Sequence, residues 1–242
     1  MTEFGSTQGA RNETATGSVA GVCDTPAPSG RSVDPTADTA ASRFVHSPCF
    51  TAGTWIKTDR GEVEVTEIRV GDRVLTRDHG YRPVRWAGHR HITADEMAEH
   101  AHLRPVRLAR DALGPGLPSR DMDVSPMHCV LIRGPETQML LGLDEVLVPA
   151  RALLGQPGVT RRPARATTYV HFMFDDHELV MSDDLWTESF QPCAASLGAL
   201  EAEQRDELLE IFPELVEETG REEYVAARPR LRPHEARLLL AA

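Results

Sequence analysis

The run CFTAGTWIKTDRGEVEVTEIRVGDRVLT, from Cys49 to Thr76, carries a structural code and a chemical one. Thr54, Ile56 and Thr58 alternate with Trp55 and Lys57, and Glu62 and Glu64 alternate with Val63 and Val65. This is the period-2 pattern of half-buried strands. Gly53, Gly61 and Gly71 punctuate the runs where tight turns need positive φ. The chemical code lies at the head of the run. Cys49 stands at a seam between this strand-dense region and a leader without periodicity, and its sulfur can reach the Pro48 carbonyl through a five-membered ring. An N-to-S acyl shift there needs no external substrate. The alternative for any single cysteine is a small, buried, inert apolar side chain.

On the N-terminal side, residues 1–46 are rich in Ala, Thr, Ser, Gly, Pro and Asp, and are expected to form a disordered leader that cannot offset its ordering entropy. The stretch from Phe44 to Pro48 should enter the folded part extended, because the residue before a proline avoids helix. On the C-terminal side, runs at 73–76, 81–92, 103–109, 121–132, 137–148 and 168–181 read as further strands between Gly- and Pro-rich turns, which predicts an all-β fold. Residues 148–154 read as one short helix with a proline in its first turn.

From about residue 197 the pattern becomes helical. Leu200, Leu208, Leu209, Phe212, Leu215 and Val216 recur at helix-like spacing within an acidic stretch, and arginines 228, 230, 232 and 237 follow. Residues 192–242 are thus expected to be an acidic helical tail, packed on the domain or on a partner, with its charges as a solvated face.

Composition sets bounds. The chain has 242 residues, 40% apolar content and a net charge of -11. That suits one core of moderate size and argues against nucleic-acid binding. The four cysteines lack CxxC spacing, so neither a redox motif nor a disulfide framework is expected. No run has the apolar length of a membrane span and no signal peptide is evident, which makes the cytoplasm the expected location.

Two later motifs supply candidate chemistry. Val124-Ser125-Pro126-Met127-His128 offers a hydroxyl and an imidazole three residues apart. Histidine is the unperturbed side chain whose pKa suits proton transfer to a leaving amine near neutrality. Thr168 to Val180 reads as a hairpin turning at Asp175-Asp176, and it carries His171 and His177. The pairs His89/His91 and His100/His102 could place imidazoles on common strand faces. The segment between them reads as a loop or short helix, however, and no metal or other cofactor is expected. Cys129 is expected in the core.

Taken together, Cys49-Phe50-Thr51 with Gly53-Thr54, the turn at Gly61-Glu62-Val63, and Val70-Gly71-Asp72-Arg73-Val74-Leu75 resemble the opening block of the Hint family. This self-processing module is shared by Hedgehog autoprocessing domains and inteins. The resemblance covers about residues 47–191 and implies an all-β Hint-type fold. It implies Cys49 as nucleophile and Ser125 and His128 as the family's Thr-x-x-His block. There the histidine contacts the scissile amide and the hydroxyl holds the geometry. It also implies His171 as a second polar catalytic residue facing Cys49, and His177 as a structural histidine that hydrogen-bonds within the hairpin. Thr187-Glu188-Ser189 stands where inteins carry the asparagine that cyclises, so splicing is not expected. This resembles a bacterial subfamily lacking both that asparagine and the sterol-binding extension.

The expected function is single-turnover autocatalytic cleavage or transfer at Pro48-Cys49. The chain's own N-terminal segment would be the substrate, and water, a thiol or an amine the acyl acceptor. The competing function is a non-reactive Hint scaffold that serves as a binding or presentation module.

Overall fold

The computed structural model describes residues 47–241. The expected leader, residues 1–46, lies outside them. Two antiparallel sheets form the body. The first contains β1 (Phe50–Thr51), β6 (Trp86–Ile92), β7 (Val106–Leu108), β8 (Met122–Val124), β11 (Val159–Arg161) and β12 (Thr167–Met173), in the order β11-β7-β8-β1-β12-β6. The second contains β2 (Trp55–Thr58), β3 (Gly61–Glu64), β4 (Arg73–Thr76), β5 (Gly80–Pro83), β9 (Cys129–Arg133), β10 (Glu145–Pro149), β13 (Leu179–Ser182) and β14 (Leu185–Glu188). Its order is β10-β9-β14-β13-β2-β4-β5, with β3 beside β2.

The alternation read from the sequence is realised in the first hairpin. Along β2, Ile56 and Thr58 are buried while Trp55 and Lys57 face out, and Ile56 pairs with Val63 of β3. Gly61 turns that hairpin at φ 105°, where a side chain would be strained. Phe50, Ile56, Val74, Val124, Val130, Phe172 and Val180 then share one apolar core built by both sheets.

Three expectations are corrected. The strands on either side of Asp175-Asp176 are not a hairpin, because β12 pairs with β6 and β1 while β13 pairs with β14, β2 and β4. That link carries the chain from one sheet to the other. The run 137–148 is not one strand. Its first half is an α-helix, Pro135–Leu141, opened by proline and closed by Gly142 at φ 67°. Its apolar Met139 and Leu140 are exposed, which mimicked a strand signal. Of the arginines expected on a solvated face, Arg232 and Arg237 are exposed, but Arg228 and Arg230 are not part of it. Arg228 bonds Asp78 at 2.8 and 3.0 Å and Glu145 at 2.8 Å, and Arg230 bonds the buried Glu188.

The helical C-terminal part is present, and it is packed. Helices Ala194–Ala199, Ala202–Ile211 and Glu218–Glu223 place Leu197, Leu208 and, through the intervening turns, Leu200, Phe212, Leu215 and Tyr224 against Trp86, Met173 and Phe190. Burying each such side chain contributes roughly 1.5–3 kcal/mol, so this layer is part of the folded unit. Beyond it, Pro229 accepts from the Leu147 amide at 2.8 Å and Leu231 donates to the Leu147 carbonyl at 2.9 Å. The segment is thereby laid along β10 before the last helix, Pro233–Leu240.

Candidate active site

Cys49 immediately precedes β1, which is wedged between β8 and β12. The register pairs Phe50 with Val170 and Thr51 with Tyr169. Continued one step, this antiparallel register sets Cys49 opposite His171, whose Nδ1 lies 3.2 Å from Cys49 Sγ. Trp86 on β6 stacks on the His171 ring with an interplanar angle of 8°, and Phe190 closes a second side at 5.5 Å between centroids. The imidazole is therefore held on strand β12 between two aromatic rings.

On the other flank β8 delivers Ser125. Its Oγ accepts from the Cys49 amide at 2.8 Å and donates to the Ser47 carbonyl at 2.9 Å, while its own amide donates to the Cys49 carbonyl at 2.9 Å. The Pro48-Cys49 bond is thus bracketed by backbone and hydroxyl contacts from one residue. His128 lies across the turn that its amide closes onto Ser125 at 3.1 Å. Its ring meets Phe50 edge-on at 4.4 Å, and neither ring nitrogen has a hydrogen-bond partner among the described residues. The direct contact to the scissile amide, expected of His128, is made instead by Ser125.

His177 stands apart from Cys49. Its Nδ1 accepts from the Ala227 amide at 2.9 Å, and its Nε2 faces the Glu188 carboxylate at 3.7 Å. It hydrogen-bonds, as expected, but to the C-terminal segment.

The electrostatics follow from burial. Cys49 is 2% exposed, enclosed by Ile92, Met97, Leu103 and Tyr169. Removal from water, partly opposed by the hydroxyls of Ser47 and Ser125, pushes its thiol up to about 12. Burial pushes His171 down to about 4, with the Pro48 backbone beside it pulling the other way. Burial and the Arg230 charge take His128 down to about 3. At neutral pH the site therefore holds a thiol facing a neutral imidazole. Cys129 is buried with its thiol pushed well up, in keeping with a core residue. Among the described residues no cluster of three or more His, Cys, Asp or Glu could hold a metal, and no helix is long and apolar enough to cross a membrane.

A sequence model described as the Hint domain matches residues 48–194, beginning one residue before Cys49. The chain belongs to the Hint family. Solved structures that resemble this Hint domain include the gp41-1 intein, at 14% identity over 58% of this chain and 97% of the other, with a TM-score of 0.34. A bacterial intein-like domain from Clostridium thermocellum aligns at 17% identity over 58% of this chain and 97% of its own, with a TM-score of 0.39. None of the curated proteins matches the chain.

Sequence reasoning missed Trp86, Glu188 and Arg230. An aromatic that stacks across strands, or an ion pair spanning 42 residues, leaves no local pattern. The one available signal was the isolated Trp-Ala-Gly in an otherwise polar strand. A Cβ at Gly88 would lie 2.7 Å from the Trp86 ring, so only glycine leaves that ring its place.

Proposed function

We propose that this Hint domain is self-processing, forming a thioester on Cys49 and cleaving or transferring the segment that ends at Pro48. The observation that carries the reading is the 3.2 Å approach of the neutral His171 imidazole to Cys49 Sγ. A thiol pushed up to about 12 does not ionise alone at neutral pH and needs a base at contact distance.

In the proposed sequence His171 takes the Sγ proton as the sulfur bonds to the Pro48 carbonyl carbon. The resulting imidazolium faces the oxygen on which charge develops, where a fixed positive group counts most in a dry site. The C–N bond then breaks and the proton passes to the Cys49 nitrogen, giving a thioester and a free amine with no net gain or loss of protons. Ser125 Oγ, already bonded to that nitrogen, is placed to relay it. Neutral His128, one turn away, has unengaged nitrogens available to the same step. Water, a thiol or an amine next attacks the thioester carbonyl and releases the Cys49 thiol. No splicing follows, since Glu188 is tied into the Cys129 amide and Arg230 and offers no side-chain amide to cyclise.

The enclosure of Cys49 favours one rival reading, an inert scaffold that presents its surface to a partner. Incubating the purified chain with a strong thiol separates them. The proposal expects a fragment ending at Pro48, lost in Cys49→Ala. An intact parent chain, or equal cleavage in the variant, contradicts it.

A further inference from the structure

The C-terminal segment reaches the back of the processing site through one side chain. Glu188 closes β14 with no exposed surface, and its Oε1 accepts from the Cys129 amide at 2.7 Å. Cys129 follows directly on the turn that carries Ser125 and His128. The other carboxylate oxygen is bound by Arg230 and faced by His177 Nε2 at 3.7 Å. Arg230 itself is set in register by the backbone bonds of Pro229 and Leu231 to Leu147 on β10. Arg228, two residues earlier, clips the same segment to Asp78 and Glu145. The same turn is held on its other side by β10 and the short helix that follows, where the Ala150 amide donates to the His128 carbonyl and the Arg151 amide to the Pro126 carbonyl.

We propose that Arg230 is a positioning residue of the processing site, acting through Glu188 to hold the Ser125–His128 turn against the scissile bond. A buried carboxylate that lost its arginine would carry an uncompensated charge and would turn toward water and away from the Cys129 amide. The turn would then shift, and Ser125 Oγ would move from the Cys49 nitrogen. The C-terminal segment is thereby a condition for processing, although none of its residues touches the reacting atoms. The inference rests on the processing reading, but its structural half can be measured without it.

The test uses the full chain as parent, as Arg230→Met, and as the double variant Glu188→Gln with Arg230→Met. The double change keeps an acceptor for the Cys129 amide and removes both buried charges. Hydrogen-exchange mass spectrometry reports protection of the Cys129 and Cys49 amides, and a thiol assay reports release of the fragment ending at Pro48. Arg230→Met is expected to lose protection at both amides and to slow release about 100-fold, the scale set by displacing reacting groups by roughly 1 Å. The double variant is expected to recover protection and to return release to within about 10-fold of the parent. If Arg230→Met fails to fold, the double variant decides alone, since its failure to recover either property overturns the clamp. Parental protection and rate in Arg230→Met also overturn it. A parent that releases no fragment sinks the processing reading, while the exchange comparison still decides the clamp.

Discussion

Two polar clusters lie inside this molecule and are built on opposite terms. Glu188 is met by Arg230 and the Cys129 amide, and Glu145 by Arg77 and Arg228. Around Cys49 there is no ion pair among the described residues. Three groups that could carry charge, the Cys49 thiol and the His128 and His171 imidazoles, are kept neutral by burial, and Nε2 of His171 and both nitrogens of His128 have no hydrogen-bond partner among the described residues. Unsatisfied buried donors cost about 1–3 kcal/mol each, so they persist only where the surrounding packing holds them. The first cluster is what a fold uses to fasten a segment. In the proposed function the second moves a proton rather than stabilising one.

The contrast breaks most sharply at His171. Replacing it by Gln keeps a polar side chain against Trp86 but removes the base. Thiol-induced release of the leader should fall by about 100- to 10,000-fold while circular dichroism is retained. A parental rate would reassign His171 to packing.

The next effect is thermodynamic. In the unfolded chain the imidazoles titrate near 6.5, whereas burial holds His128 down to about 3 and His171 and His177 down to about 4. Below that upper value the unfolded chain takes up protons that the folded chain refuses, so stability falls as pH drops and levels off only below the folded values. Each pH unit between the two pKa values of one group corresponds to about 1.4 kcal/mol. Asp183, whose carboxyl burial pushes up to about 7, works in the opposite direction over this range, but three histidines outweigh one carboxyl, so the urea midpoint should be lower near pH 5 than near pH 7. Equal midpoints would mean that the histidines are not held neutral.

Ser125→Ala gives the smallest change. It leaves the Cys49 amide buried without an acceptor and should cost about 1–3 kcal/mol in denaturant unfolding. Processing should slow less than in the His171 variant. A larger loss than in the His171 variant would make the hydroxyl, and not the imidazole, the principal proton carrier.

Much of this was legible in the sequence because it was local. The alternation from Thr54 to Val65 appears as buried and exposed faces, and Cys49 at the seam appears at the head of β1. The approach of His171 to Cys49 was half legible: its position followed from the late strand, but the partner of that strand did not. Asp175-Asp176 read as a hairpin turn because turn residues mark a change of direction without saying which sheet receives the chain. Arg228 and Arg230 looked like solvated charge for a similar reason. Their partners, Asp78, Glu145 and Glu188, are distant in sequence and are assembled only by folding. The absence of an asparagine near position 188 was visible, yet the ion pair that occupies its place was not.

A thioester between Cys49 and the Pro48 carbonyl is open to attack by hydroxylamine. The full chain is incubated at neutral pH with hydroxylamine, and the released N-terminal fragment is sequenced by tandem mass spectrometry. The expected product is a fragment of residues 1–48 ending in a hydroxamate on Pro48, with no such fragment from Cys49→Ala. A parent that stays intact, or a hydroxamate that forms equally well without the Cys49 sulfur, would contradict it.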